Sequence, residues 1–210
     1  VSLRRLAFEA GKPGADPSTA ATLSKELLGM GSNASLPEET RASALEQLPF
    51  LADGACVPGL ALLLNDPLDS IRELARRALQ NNPDPQASQQ LIEALGKSDK
   101  SPWALGLLQA LGVRRDASAV PPIAAKLKSS DPSISALAVQ TLGSIGGKPA
   151  LQALLEYLPS CPPSSLAVAQ SAVIRCAQTV GDSKTDIPSL WPTAANAAIR
   201  CEIFNALVSS

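Results

Sequence analysis

The chain has no histidine, and only two Trp, one Tyr and three Phe among its 210 residues. Without imidazole, every triad or general-base scheme that depends on histidine is excluded, and no motif supports a Ser–Lys or paired-carboxylate site in its place. The four cysteines, Cys56, Cys161, Cys176 and Cys201, lie too far apart for a Cys-x-x-Cys site, and there is no histidine to complete a mixed one, which argues against a metal centre. Long apolar runs are also missing. The longest, around Leu60 to Leu64, is far too short to span a bilayer, and no charged segment leads into an apolar leader. Neither sign of charge dominates: 18 basic residues face 19 acidic ones, so a general pull toward nucleic acid or an anionic membrane is absent.

What remains is a chain 45% hydrophobic and 18% charged, rich in Ala and Leu, long enough to bury a substantial core. Scarce aromatics and abundant small side chains point to closely packed helices, hence to an all-α fold. The clearest stretch runs from Asp66 to Leu79. Asp66 suits an N-cap and Pro67 a first helical position, so a helix is expected to start there. Ile71, Leu74, Ala75, Ala78 and Leu79 then fall on one face, while Arg72, Glu73, Arg76 and Arg77 point elsewhere.

This face recurs. Apolar helix ends at Leu48, Leu79, Leu111 and Leu142 are separated by 31, 32 and 31 residues, and the pattern returns 65 residues later at Leu207, two periods on. Second apolar segments at Val57 to Leu64, Ala87 to Leu95, Ala119 to Leu127 and Pro149 to Leu158 lie between the anchors behind polar turns, which makes each unit a helical hairpin. The expected pairs are Pro17 to Met30 with Pro37 to Leu51, then about 55–81, 85–112, 117–146 and 149–181. A short helix at Ser2 to Ala10 precedes them, and an irregular unit with a loop at Asp182 to Pro192 and a helix at Thr193 to Leu207 closes the chain. A hairpin of this length cannot bury its apolar face alone. The expectation is therefore a right-handed α-α superhelix of about six hairpins, forming one domain over residues 1–210. Because the chain opens on Val1 and ends on a poorly capped Ala206-Leu207-Val208, it is expected to be processed or excised from a longer protein.

Asp66-Pro67 followed by Ile71-Arg72, Ala75 and Ala78-Leu79, and Asp131-Pro132 followed by Ile134, Ala138 and Leu142-Gly143, resemble HEAT repeats, in particular short bacterial HEAT-like units also found in phycobilisome lyases. The resemblance covers roughly residues 17 to 207 and implies an armadillo-like α-solenoid that binds proteins. It also implies a ladder between neighbouring units, formed by an Asp and a basic residue six places on. Asp66 and Arg72 have that spacing, and Ser135 interrupts it in the later copy.

Three function classes follow. The leading one is a non-catalytic scaffold that binds another protein or a peptide, without cofactor, metal, membrane or nucleic acid. The second is a lyase-like or chaperone-like accessory protein for a chromophore or cofactor protein, which rests on the resemblance alone. The third is a nucleic-acid-directed enzyme, with Arg72, Arg76 and Arg77, Arg41 one repeat earlier and Arg114-Arg115 one later lining up to receive phosphates or an acidic peptide; the negative net charge, the lack of a supporting basic helix in the second half and interleaved Glu38, Glu39, Glu46 and Glu73 count against it. A partner site is expected along the position of Arg76, filled in other units by Leu45, Leu108, Val139, Ile174 and Phe204. If exposed, this stripe anchors a peptide at the groove edge, with Arg41 and Arg72 setting its polarity; if buried, it only fills the joints between repeats. The cysteines are expected to be free and buried, although Cys176 and Cys201 would meet if they sat on adjacent helices.

Overall fold

The structure, a computed structural model, describes residues 3–12, 14, 16–51, 53–98, 101–180 and 187–208. Among these the regular structure is entirely helical. The helices are α1 (Leu3–Ala10), α2 (Pro17–Ser32), α3 (Glu38–Leu45), α4 (Val57–Leu63), α5 (Asp69–Asn81), α6 (Pro85–Gly96), α7 (Ser101–Arg114), α8 (Val120–Lys126), α9 (Pro132–Ile145), α10 (Gly147–Tyr157), α11 (Leu166–Val180) and α12 (Ala197–Val208). Short 3-10 turns at Leu48–Phe50, Gly54–Cys56, Ala117–Ala119, Leu158–Ser160 and Pro188–Thr193 lead into or out of them. Residues 182–186 of the expected loop lie outside the described residues, as does Ser2.

One local code recurs at the starts of five of these helices or of the 3-10 turns that lead into them. An Asp side chain accepts a hydrogen bond from the backbone N–H two residues on: Asp16 from Ser18 at 3.1 Å, Asp53 from Ala55 at 3.0 Å, Asp84 from Gln86 at 2.8 Å, Asp116 from Ser118 at 2.9 Å and Asp131 from Ser133 at 2.8 Å. Each bond satisfies an amide that the first turn leaves without a helical partner, and the proline that follows Asp16 and Asp131 lacks such an amide anyway. Asp66 makes the same bond to Leu68 at 3.0 Å, yet α5 begins only at Asp69, two residues later than the sequence suggests. Its carboxylate also holds Arg41, and this second attachment keeps Asp66 to Leu68 in an extended turn.

The chain packs as two compact units, Val1–Ala94 and Leu95–Ser210. In the first, α2 and α4 form one layer and α3 and α5 the other, with α1 lying on α2. Leu27, Leu45, Leu48, Leu60, Ile71 and Leu79 are fully buried between the layers. In the second, α7, α9, α11 and α12 stack in succession, and α8 and α10 line the other side. Its core holds Leu107, Leu111, Ile123, Leu142, Leu154 and Val173. The anchor leucines of the repeat, Leu48, Leu79, Leu111 and Leu142, are all fully enclosed, as are Ile71, Ala75, Ala78 and Ala138, while Ile134 is also buried. Leu74 and Leu137, expected on the same face, are only half-buried because they sit at its margin.

Small residues let the second helices approach. A Cβ added at Gly143 would stand 3.0 Å from the Ala172 Cβ, so α9 and α11 touch almost backbone to backbone there. Side chains also reach across to carbonyls of the preceding helix: Thr141 Oγ1 donates to Leu108 O at 3.4 Å, and the Cys176 thiol to Leu142 O at 3.6 Å. α9 then ends at Gly146, whose φ of +71° is a backbone state in which a Cβ would be strained.

Candidate interaction surfaces

The residues expected to meet a partner fall into two groups, and most are internal. Leu45, Leu108, Val139 and Ile174 are buried, so the apolar stripe fills joints between helices and offers no anchor row to a peptide. Phe204, on the terminal helix α12, is exposed. The stripe was legible as a flank of the core face, but periodicity fixes that flank relative to its own helix axis and says nothing of what covers it.

The arginines are also engaged within the fold. Arg41 is only 4% exposed. Its Nε donates to Gly31 O at 2.8 Å, satisfying a carbonyl in the last turn of α2, and its Nη2 pairs with the Asp66 carboxylate in the turn of the next hairpin. This is the inter-repeat rung that the resemblance implied, but it joins Asp66 to the preceding unit. Arg72 donates instead to Asp66 O at 2.7 Å and pairs with Asp69. Burial tends to raise the Asp66 carboxyl; hydrogen bonds from Arg41 and the Leu68 amide, with the charges of Arg41 and Arg72, outweigh it and hold the group below its ordinary value. Arg76, 6% exposed, spans both oxygens of Glu73 at 2.7 Å and donates to Gln80 at 2.9 Å. Hydrogen bonds from Arg76, opposed by burial and then joined by the bond from Arg77, keep Glu73 low as well. All three guanidiniums are paired within the fold.

The repeat position of Arg41 and Arg72 is occupied further on by Ser135 and Gln170. Ser135 Oγ donates to Leu127 O at 2.7 Å and lies 3.2 Å from the Tyr157 hydroxyl. Gln170, 1% exposed, uses both ends of its amide: Nε2 donates to Thr193 O at 2.8 Å, and Oε1 accepts from Ala195 N at 2.9 Å. It ties α11 to the turn before α12 as Arg41 ties α3 to the turn before α5, with no charge involved.

All four cysteines are free thiols. Cys56 and Cys176 are buried as expected, whereas Cys161 is half-buried and Cys201 exposed. Burial lifts the Cys176 thiol to about 11, against the pull of the Arg175 charge.

An open surface lies elsewhere, at α1. Ala7 turns inward and is almost fully buried, which leaves Arg4, Arg5 and Phe8 facing out. Close by, the 3-10 turn Leu48–Phe50 buries Leu48 and thereby projects Phe50. A Cβ added at Gly11 would be 3.2 Å from Phe50 O, which shows how tightly the end of α1 rests on that turn. Between the two aromatic rings runs a groove of about 690 Å³ lined by Arg4, Arg5, Phe8, Lys12, Gln47 and Phe50 among others. Phe8 is 65% and Phe50 75% exposed. Lys12 Nζ stands 4.9 Å from the centre of the Phe8 ring and pairs with Glu9 at 2.7 Å. The opposite flank of α1 faces a second, more acidic cleft of about 520 Å³, where Glu9, Asp16 and Glu26 gather. Sequence reasoning missed the groove because it gave Phe8 and Phe50 no role; the signal was Arg4-Arg5 and Phe8 on one short helix ahead of Gly11.

Residues 103–174 match the family of HEAT repeats. No curated protein matches the chain. Among solved structures, an engineered protein from the Northeast Structural Genomics Consortium is similar with a TM-score of 0.51 and 21% identity, over 98% of this chain and 62% of that one. A designed armadillo repeat protein in complex with the peptide (KR)4 is similar at a TM-score of 0.48 and 20% identity, over 83% of this chain and 91% of that one. Computationally designed armadillo repeat proteins for modular peptide recognition follow at 0.46 and 19%, over 82% and 91%. At these identities the likeness is one of fold. The stretch 103–174 matches HEAT repeats, and the described residues fold as all-α stacked helical pairs, a repeat architecture typical of protein-interaction scaffolds. No helix among the described residues is long and apolar enough to cross a membrane.

Proposed function

We propose that this protein is a non-catalytic scaffold that binds another protein or a peptide. The observation that supports it is the groove at α1, where two phenylalanines stay uncovered in a chain with few aromatics while the leucines of the repeat cores close completely. Apolar side chains that a fold leaves in water beside a concavity are the usual material of a protein contact. The nucleic-acid reading would draw on Arg41, Arg72, Arg76, Arg77, Arg114 and Arg115, and the pairing of the first four with Asp66, Asp69 and Glu73 counts against it.

Selection from a random peptide library on the whole chain tests this reading. The expected result is a family of related peptides that bind reversibly and compete with one another. Recovery of no competing family would reject the scaffold reading, and a change in haem or bilin absorbance on mixing would favour the cofactor-handling alternative instead.

A further inference from the structure

The groove at α1 has a chemistry that narrows its occupant. Its two walls are aromatic, its rim is basic, and its floor carries the buried side chain of Gln47, whose Nε2 donates to Ser43 O at 3.3 Å. Arg4 and Arg5 are exposed, and no ion pair holds either of them among the described residues, whereas the Arg41, Arg72 and Arg76 guanidiniums are all neutralised locally. Uncommitted cations beside uncovered rings match a ligand that brings both an apolar anchor and negative charge.

We propose, building on the scaffold reading above, that this groove receives an acidic segment of another protein, with an aromatic or aliphatic side chain seated between Phe8 and Phe50 and flanking carboxylates on Arg4 and Arg5. Two features select a peptide over an anionic membrane or a nucleic acid. The exposed rings flank a cleft of about 690 Å³, room for an inserted side chain that a flat lipid surface would not fill. The other flank of α1 carries Asp16 and Glu26 beside Glu9, which Lys12 pairs, a negative wall that repels an extended phosphate surface but leaves a narrow peptide free to lie on the basic side alone. Gln47 at the floor is placed to meet the main chain of such a segment.

The test uses the whole chain and a fluorescein-labelled synthetic peptide alternating Glu with Phe and Leu, together with its counterpart in which every Glu is Lys. Anisotropy should show the acidic peptide binding at least about tenfold more tightly than the basic one, with the preference shrinking as salt is raised, because exposed charges are screened over about 10 Å at 0.1 M. Arg4→Glu with Arg5→Glu should weaken the acidic peptide by about tenfold or more, and Phe8→Ala with Phe50→Ala by a similar factor. All four side chains are exposed, and unchanged helical circular dichroism and melting would confirm that the variants fold. Equal affinity for both peptides, or acidic-peptide binding indifferent to both double variants, would overturn the proposal. So would binding to phosphatidylserine vesicles, or self-association, that is lost with the arginine reversal while the acidic peptide fails to bind. If library-selected peptides bind but ignore these variants, the scaffold reading stands and this groove is not its site.

Discussion

The joint that Arg41 makes with Asp66 and the one that Gln170 makes with Thr193 and Ala195 occupy the same place in the repeat, yet one is an ion pair and the other is neutral. Both side chains are nearly fully buried, and both reach from a second helix to the turn that starts the next. What the position requires is therefore a long side chain that satisfies main-chain and turn groups in a closed joint, not a charge. The charged version is costlier to break, since losing one partner strands the other's charge away from water. The neutral version forfeits only ordinary hydrogen bonds. Between them, at Ala104, the same repeat position holds a methyl group, and the helix capped by Asp131 starts at the very next residue.

The largest expected effect follows from that contrast. Arg41→Met should destabilise Val1–Ala94 by about 3–5 kcal/mol, read from urea unfolding with hydrogen exchange localising the loss, and Asp66→Asn in the same chain should recover part of it. A loss below about 1 kcal/mol would mean that the pair behaves like a surface contact. As matched controls, Leu79→Ala and Leu142→Ala should each cost about 2–5 kcal/mol, because both anchors are fully enclosed and differ only in which unit they hold together.

The two units should also respond oppositely to pH. Asp66 and Glu73 lie low in the folded Val1–Ala94, so their stabilisation is present above their ordinary values and is lost as the pH falls through the folded ones, below about 3.8 for Asp66. In Leu95–Ser210, burial holds the Cys176 thiol neutral. Its contribution is complete below 9.0 and fades as the pH rises toward about 11, a loss on the order of 2–3 kcal/mol that Cys176→Ala should remove from the pH dependence. Buried Cys56 adds an alkaline component of the same sign to the first unit, since burial raises it too. Amide exchange followed at both extremes separates the units; acid opening of Leu95–Ser210 before Val1–Ala94 would contradict the comparison.

Gln170→Ala should have the smallest effect, about 1–3 kcal/mol, confined to the contact of α11 with the turn before α12. Because no charge is stranded, this loss should vary little with salt, and a marked salt dependence would show that the neutral joint is coupled to charges beyond it.

By itself the sequence determined the helices, their pairing into hairpins and the leucines around which the pairs close. Those features follow from a 3.6-residue periodicity and a recurring spacing near 31 residues, both of which are written along one dimension. Capping was legible for the same reason, since Asp131 acts on an amide two residues away; where Asp66 departed from that rule, the cause was a residue 25 positions distant. Only the tertiary structure decided which flank each hairpin covers, so Leu108, Val139 and Ile174 became core and not a binding stripe, while Arg41 and Arg76 became internal ties. It alone exposed Phe8 beside Phe50, residues 42 positions apart that the resting of α1 on the Leu48–Phe50 turn brings to one groove. Exposure belongs to a residue's neighbours in space, and a sequence pattern specifies a face without specifying what will lie against it.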